Sequence, residues 1–179
     1  MKTSFKRNVL LSLTALLIII FSFSFYKYWN NYVNYASFTG SVNEKNLTKI
    51  EGLNNMREIV NVRHQTDLIV LDFWHTSCGI CFRKFPVLQK LSNKYLHSQK
   101  VRVLAINIPL KSDTNQMAFN MLFSNSYTFE NIIAIDSSLY KKFNVNVFPT
   151  TLLLDKHDNV LFRGDIEDVD NKIINLLKN

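Results

Sequence analysis

The 179-residue chain holds two cysteines, Cys78 and Cys81, with Gly79 and Ile80 between them in "WHTSCGIC". Two thiols at this spacing can bind a metal, staple the chain, or open and close as a redox pair. Tetrahedral zinc takes four sulfur or nitrogen ligands. The histidines are His64, His75, His97 and His157, and no two stand at the short spacing of a zinc site. His75, three before Cys78, leaves a three-ligand metal site open. A bridge across two residues closes a tiny loop and removes little entropy from the unfolded chain, so it stabilises weakly. Opening and closing suits the spacing better.

The elements around the pair give its two members different chemistry. "LIVLDFW" (68–74) is a continuous apolar run that reads as a buried strand. From about Gly79 to His97, Cys81, Phe85, Leu88, Leu91 and Tyr95 recur at helical steps and form one apolar face. The cysteines therefore follow a strand and open a helix. A thiolate there is stabilised by free backbone N–H groups and the positive end of the helix dipole. Cys78 is expected at that end as the exposed nucleophile, and Cys81 one turn inward as the buried resolving thiol. Cys78 would attack a partner disulfide, and Cys81 would then release the reduced partner and close Cys78–Cys81.

The remaining elements read as follows: a helix over 52–65, a strand over 101–108, a helix over 114–125, a strand over 131–135 and a short helix over 136–145 capped by Asp136. Strands over 150–155 and 159–164 are joined by the polar "KHDN" as a hairpin, and a terminal amphipathic helix covers 168–178. Strands alternating with helices, then a hairpin and a helix, imply an α/β sandwich with a mixed central sheet.

The formal net charge of +7 is unevenly spread. Lys2, Lys6, Arg7 and Lys27 fall in the first 30 residues, which hold no acid; the remainder carries 17 basic and 14 acidic residues. With no long basic run there, nucleic acid is not an expected partner. Residues 9–26 are uncharged and, as a helix, would span roughly 27 Å, about the hydrocarbon thickness of a membrane. Basic residues precede the run, so the positive-inside rule keeps 1–8 in the cytoplasm and exports the rest. A cleaved signal peptide competes with this reading, but "YKYWNNYVNYAS" lacks the paired small residues of a cleavage site. The expected organisation is a basic segment (1–8), a transmembrane anchor (9–26), a tether (27–40) and a domain (41–179) facing the periplasm or cell exterior. Thiols there tend to be driven into disulfides, so an upstream redox partner must maintain the pair.

Two stretches carry a resemblance. "LDFWHTSCGICFRKFPVLQKL" and "VNVFPTTLLLDKHDNVLFRG", about 70 residues apart, resemble the signatures of the thioredoxin superfamily, and with the anchor they resemble its membrane-anchored TlpA/ResA-type branch. The resemblance implies a thioredoxin-like three-layer sandwich over roughly 38–178 and thiol–disulfide oxidoreductase activity on protein substrates, more reductive than oxidative, without a cofactor. It implies that Cys78 attacks and Cys81 resolves. Asp72, a charge inside an apolar strand, matches a buried proton relay. Trp74, Pro149 and Thr150 match the substrate-binding surface, with Pro149 in the cis position and Pro86 kinking the helix; Phe148, expected on the same surface, is bulkier than the residue usual before that proline.

The chain departs from that pattern at positions expected to tune the pair. Gly79-Ile80 stands where Gly-Pro is commonest. Lys84 stands where a glutamate is usual and should favour thiolate. His75 replaces alanine, and Ser77 replaces tryptophan. The alternative function is a thioredoxin-fold metal-binding chaperone or adaptor using the same cysteines.

Overall fold

The computed structural model describes residues 2–37, 50–62, 66–114 and 116–178, and within 2–37 it describes side chains at 11 and 13–29. The chain divides into two compact units, Met1–Phe38 and Thr39–Asn179. Residues 38–40 of the expected tether, 41–49 of the expected domain, and His64 lie outside the described residues.

The first unit is one helix, α1 (Lys2–Ser37). The expected anchor segment is thus helical, and the helix continues through 27–37. All its described side chains are exposed, including Leu16, Leu17, Ile18, Ile19, Ile20 and Phe21. Among the described residues no helix is long and apolar enough to cross a membrane. The transmembrane helix expected over 9–26 is therefore met as a helix and not as a demonstrated span.

The second unit is built on a seven-stranded mixed sheet: β1 (Ile50–Leu53), β2 (Ile59–Val62), β3 (Leu68–Trp74), β4 (Val101–Asn107), β5 (Asn131–Ala134), β6 (Thr150–Asp155) and β7 (Val160–Gly164), in the order β2-β1-β5-β4-β3-β6-β7. β3, β4 and β5 are parallel, while β6 runs antiparallel to β3 and pairs with β7 as a hairpin. β3 lies between β4 and β6, and every one of its residues is buried. A strand covered on both faces is apolar nearly throughout, which accounts for "LIVLDFW" with Asp72 as its one exception.

Side-chain alternation along β3 divides the core in two. Val70 and Trp74 pack with Cys81, Phe85 and Leu88 of α2 (Gly79–Tyr95), with Ala118 and Leu122 of α3 (Met117–Ser124), and with Val169 and Ile173 of α5 (Ile166–Leu177). Ile69, Leu71 and Phe73 face Leu139 of α4 (Leu139–Lys142) and neighbouring Phe143. The α/β sandwich with flanking helices is as expected.

The helix expected over 52–65 is instead the β1–β2 hairpin, with 63–65 outside the described residues. The deciding chemistry is at the turn. Asn54 Oδ1 accepts from the backbone N–H of Met56 and of Glu58 at 3.0 and 2.9 Å, and Arg57 sits at φ 64 in the left-handed region. A side chain that binds its own following backbone competes with helix. Gly52 lets β1 approach β5, because a Cβ there would stand 2.7 Å from Ile132 Cδ1 and 2.9 Å from the Ile133 carbonyl oxygen. Asp136, expected as the cap, stands two residues before it. It accepts from Ser138 N and Oγ at 2.8 and 2.7 Å, and Ser138 is the N-cap of α4.

Candidate active site

The strand β3 delivers Trp74 and then the loop His75–Cys78, where the Cys78 N–H donates to the His75 carbonyl at 3.0 Å. Thr76 Oγ1 donates to Asp113 at 2.8 Å, and Asp113 also accepts from Leu110 N–H, so the loop is tied to the segment after β4. Cys78 is the N-cap of α2, and its Sγ accepts from the Cys81 N–H at 3.1 Å. The two cysteines are disulfide-bonded with Cα atoms 5.3 Å apart. When the bridge opens, that N–H is placed to hold a Cys78 thiolate. Cys78, expected to be exposed, is nearly buried at 7% because it caps α2 beside the core, and Cys81 is fully buried at 0%, so only Cys78 offers an edge to a partner. Ser77, Gly79 and Ile80 are exposed around it. A Cβ at Gly79 would meet nothing within 4 Å, so close packing does not demand the glycine.

The Phe148–Pro149 peptide is cis, and both residues are half-buried. The Phe148 ring meets the edge of His75 at 5.0 Å and lies 6.0 Å from Tyr140, so the proline loop packs on the loop leading to Cys78. The Nδ1 of His75 is buried without a hydrogen-bond partner among the described residues.

Asp72 lies on the face of β3 that carries α2. It is 2% exposed and accepts from Thr151 Oγ1 at 2.6 Å. Burial pushes its carboxyl up to about 7, against the bond from Thr151, and the charge of Asp165 adds to the rise. A carboxyl of that kind can take or give a proton near neutral pH.

A family model described as thioredoxin-like matches residues 65–160, just over half of the chain. The chain belongs to the thioredoxin-like family. Among its relatives, the thioredoxin-like protein YneN of Bacillus subtilis is 28% identical over 102 residues, covering 56% of this chain and 54% of its own length. The thiol-disulfide oxidoreductase ResA of the same organism is 27% identical over 95 residues, covering 52% and 50%. The chain thus spans about half the length of the curated relatives it matches. The solution structure of a thiol:disulfide interchange protein from a Bacteroides species shares the fold, with TM-score 0.65 and 16% identity over 79% of this chain and 91% of that one.

Within this thioredoxin-like site, several expectations change. Trp74, expected at the substrate surface, is fully buried. Its ring is enclosed by the edges of Phe82 and Phe85, and Nε1 donates to Asn131 Oδ1 at 2.9 Å. A side chain so enclosed supports the loop and does not touch a partner. Thr150 is buried too, its hydroxyl donating to the Val147 carbonyl at 2.7 Å, which braces the turn before Pro149. Lys84 is not a free cation beside the pair: Nζ stands 3.1 Å from Asp165 and 2.8 Å from Glu167. Two carboxylates offset its charge, so its expected pull toward thiolate is spent on α5. Pro86 lies within α2, as expected. No group of three or more His, Cys, Asp or Glu side chains among the described residues is arranged to hold a metal.

Thr151, Asn131 and Asp165 were not singled out by the sequence. Thr151 and Asn131 each carried a signal: a polar residue inside or opening an otherwise apolar strand, in "TTLLL" and "NIIAI". Asp165 carried none beyond its place before a helix.

Proposed function

We propose that this protein is a membrane-tethered thiol–disulfide oxidoreductase that reduces disulfides of protein substrates outside the cytoplasm. The observation that carries the reading is the disulfide at the start of α2, with Cys78 keeping a 7% edge of exposure, Cys81 fully buried, and a proton-accepting acid on the strand behind. In the reduced form the Cys78 thiolate attacks a sulfur of the target disulfide. A Cys78–target bond forms, the target S–S bond breaks, and the second target sulfur leaves as thiolate. Ionised Asp72 takes the Cys81 proton, and Cys81 attacks Cys78 Sγ. The target leaves fully reduced, two electrons have passed to it, and Cys78–Cys81 is oxidised. A dithiol protein upstream returns the pair to its reduced form.

The paired state of Lys84 supports the reductive direction, since a free cation there would have stabilised the thiolate and raised the potential. The names of ResA and the other relatives agree with the exchange chemistry. The tether rests on the uncharged run over 9–26, the basic residues before it, and the exposed apolar surface of α1. An apolar surface all round a helix calls for a lipid or protein cover.

Reduction of insulin should fall to background in Cys78→Ser. In Cys81→Ser a mixed disulfide on Cys78 should accumulate and identify the substrate. Insulin reduction that survives Cys78→Ser sinks the enzyme reading. Release of the chain from membranes by alkaline carbonate sinks the anchor, and resistance of the domain to protease added outside the cell sinks its outward placement.

A further inference from the structure

Three sheet positions lie in one row. Asp72 of β3 is in register with Thr151 of β6, and Thr151 with Gly164 of β7. The next residue is Asp165, the N-cap of α5, whose Oδ1 accepts from Glu167 N–H at 3.2 Å. Its other oxygen is 3.1 Å from Lys84 Nζ, and Lys84 also reaches Glu167 at 2.8 Å. Asp165 is thus held from two sides at the end of the row that begins at Asp72. Lys84 lies three residues past Cys81 on α2, so the ion pair joins the cysteine-bearing helix to α5.

Few charges face the buried acid. In register with it, β4 presents Ala105 and β6 presents Thr151. On this side of the sheet α2 buries Cys81 and Phe85, and α5 buries Ile166 and Val169. Ionisable groups enter at the flanks: Lys84 on α2, and Asp165 and Glu167 at the start of α5. Arg163 is in register with Leu152, on the other face, and donates to the Phe143 and Asn144 carbonyls. His75, on the loop after β3, packs on Phe148.

The geometry points to Lys84 and Asp165 as positioning residues for Asp72: the ion pair sets how much of the Asp165 charge the buried acid feels, and through it the pH at which Cys81 gives up its proton. The effect of Asp165 on Asp72 is repulsive, so Lys84 tempers it by offsetting that charge. The inference rests on the reading of Asp72 as proton relay only for its second half; the charge coupling stands without it.

The test uses the full chain in detergent micelles, oxidised and isotope-labelled at aspartate carboxyl carbons. The Asp72 signal is assigned by its loss in Asp72→Asn, and its titration is followed by NMR. Lys84→Gln should move the midpoint up and Asp165→Asn should move it down, each by about threefold in proton affinity. The double variant should lie between the two, near the parent, because the opposite fields of Lys84 and Asp165 at Asp72 add. Lys84→Arg should leave the midpoint in place. Asparagine can still cap α5, so Asp165→Asn is expected to fold. A merely structural tie between α2 and α5 would lower stability in both variants without moving the midpoint in opposite directions. Midpoints that stay fixed, or move together, overturn the inference. Opposite shifts in a chain that reduces no insulin uphold the coupling and sink the oxidoreductase reading. Fixed midpoints in a chain that does reduce insulin sink the coupling alone.

Discussion

Asp72 and Asp136 are the same side chain in two regions, and their carboxyls move in opposite directions. Asp72, inside β3, is pushed up to about 7, first by burial. Asp136, on the exposed turn before α4, is held down to about 2, first by the Ser138 hydroxyl and then by Lys142, 3.0 Å away. Both accept from a hydroxyl at short range, 2.6 Å from Thr151 and 2.7 Å from Ser138. The difference is water. Where the sheet excludes it, one hydroxyl does not offset the lost hydration of a carboxylate. On the turn, hydration is kept and the hydrogen bonds and lysine add to it. The buried acid can change charge near neutral pH, while the exposed one stays charged and shapes a turn.

The largest way to break this contrast is kinetic. If Asp72 takes the Cys81 proton, release of the mixed disulfide in the parent should rise with pH through about 7. Asp72→Asn should remove that inflection and slow release by about a hundredfold or more above it. Stopped-flow measurement of mixed-disulfide decay gives both numbers. Equal rates for parent and variant across this pH range would leave Asp72 without a chemical role.

The same residue should show in stability. Its folded-state value of about 7 lies above the ordinary 3.8, so the folded protein holds this proton more tightly than the unfolded chain. The resulting stabilisation is complete below about pH 4 and is lost as pH rises through about 7, a total of about 4 kcal/mol. Asp72→Asn cannot ionise, so its urea midpoint should lack that slope and exceed the parent's above about pH 7. Parallel curves would mean that Asp72 is solvated. A smaller effect is expected at its partner. Thr151→Val removes a donor to the charged form, so the Asp72 titration should move up and stability above about pH 7 should fall by about 1–3 kcal/mol.

How much of this could be read along the chain depends on the range of the interaction. The cysteine pair, its strand and its helix are local, and "LIVLDFW" with the periodic Cys81, Phe85 and Leu88 placed them correctly. The cost of a charge in an apolar strand also marked Asp72 as a special acid. Cross-chain pairings were not legible. Asp165 stands far along the chain from Lys84, so a lysine read as a free cation proved to be paired. Asn131 likewise holds Trp74 out of the surface from 57 residues away. At the sheet edge, Leu53, Met56 and Val60 fall at helical spacing, but the Asn54 side chain captures two backbone N–H groups and turns the chain into a hairpin. That competition lies in one side chain's geometry, which apolar periodicity does not register.

The smallest expected effect closes the contrast from the exposed side. Asp136→Asn keeps an acceptor for the Ser138 N–H and hydroxyl but loses the attraction to Lys142. The depressed value of the parent means that the stability Asp136 contributes is present above the ordinary 3.8 and is lost as pH falls through about 2. Both partners are nearly half exposed, at 46% and 47%, so solvent screening limits that contribution to about 0.5 kcal/mol. Urea melts at about pH 6 should therefore show a small loss for the variant, and salt near 1 M should erase most of it, because the Debye length falls to about 3 Å. Insulin reduction should not change. A loss of several kcal/mol, insensitive to salt, would mean that the turn excludes water as the sheet does, and burial would no longer explain why the two acids move apart.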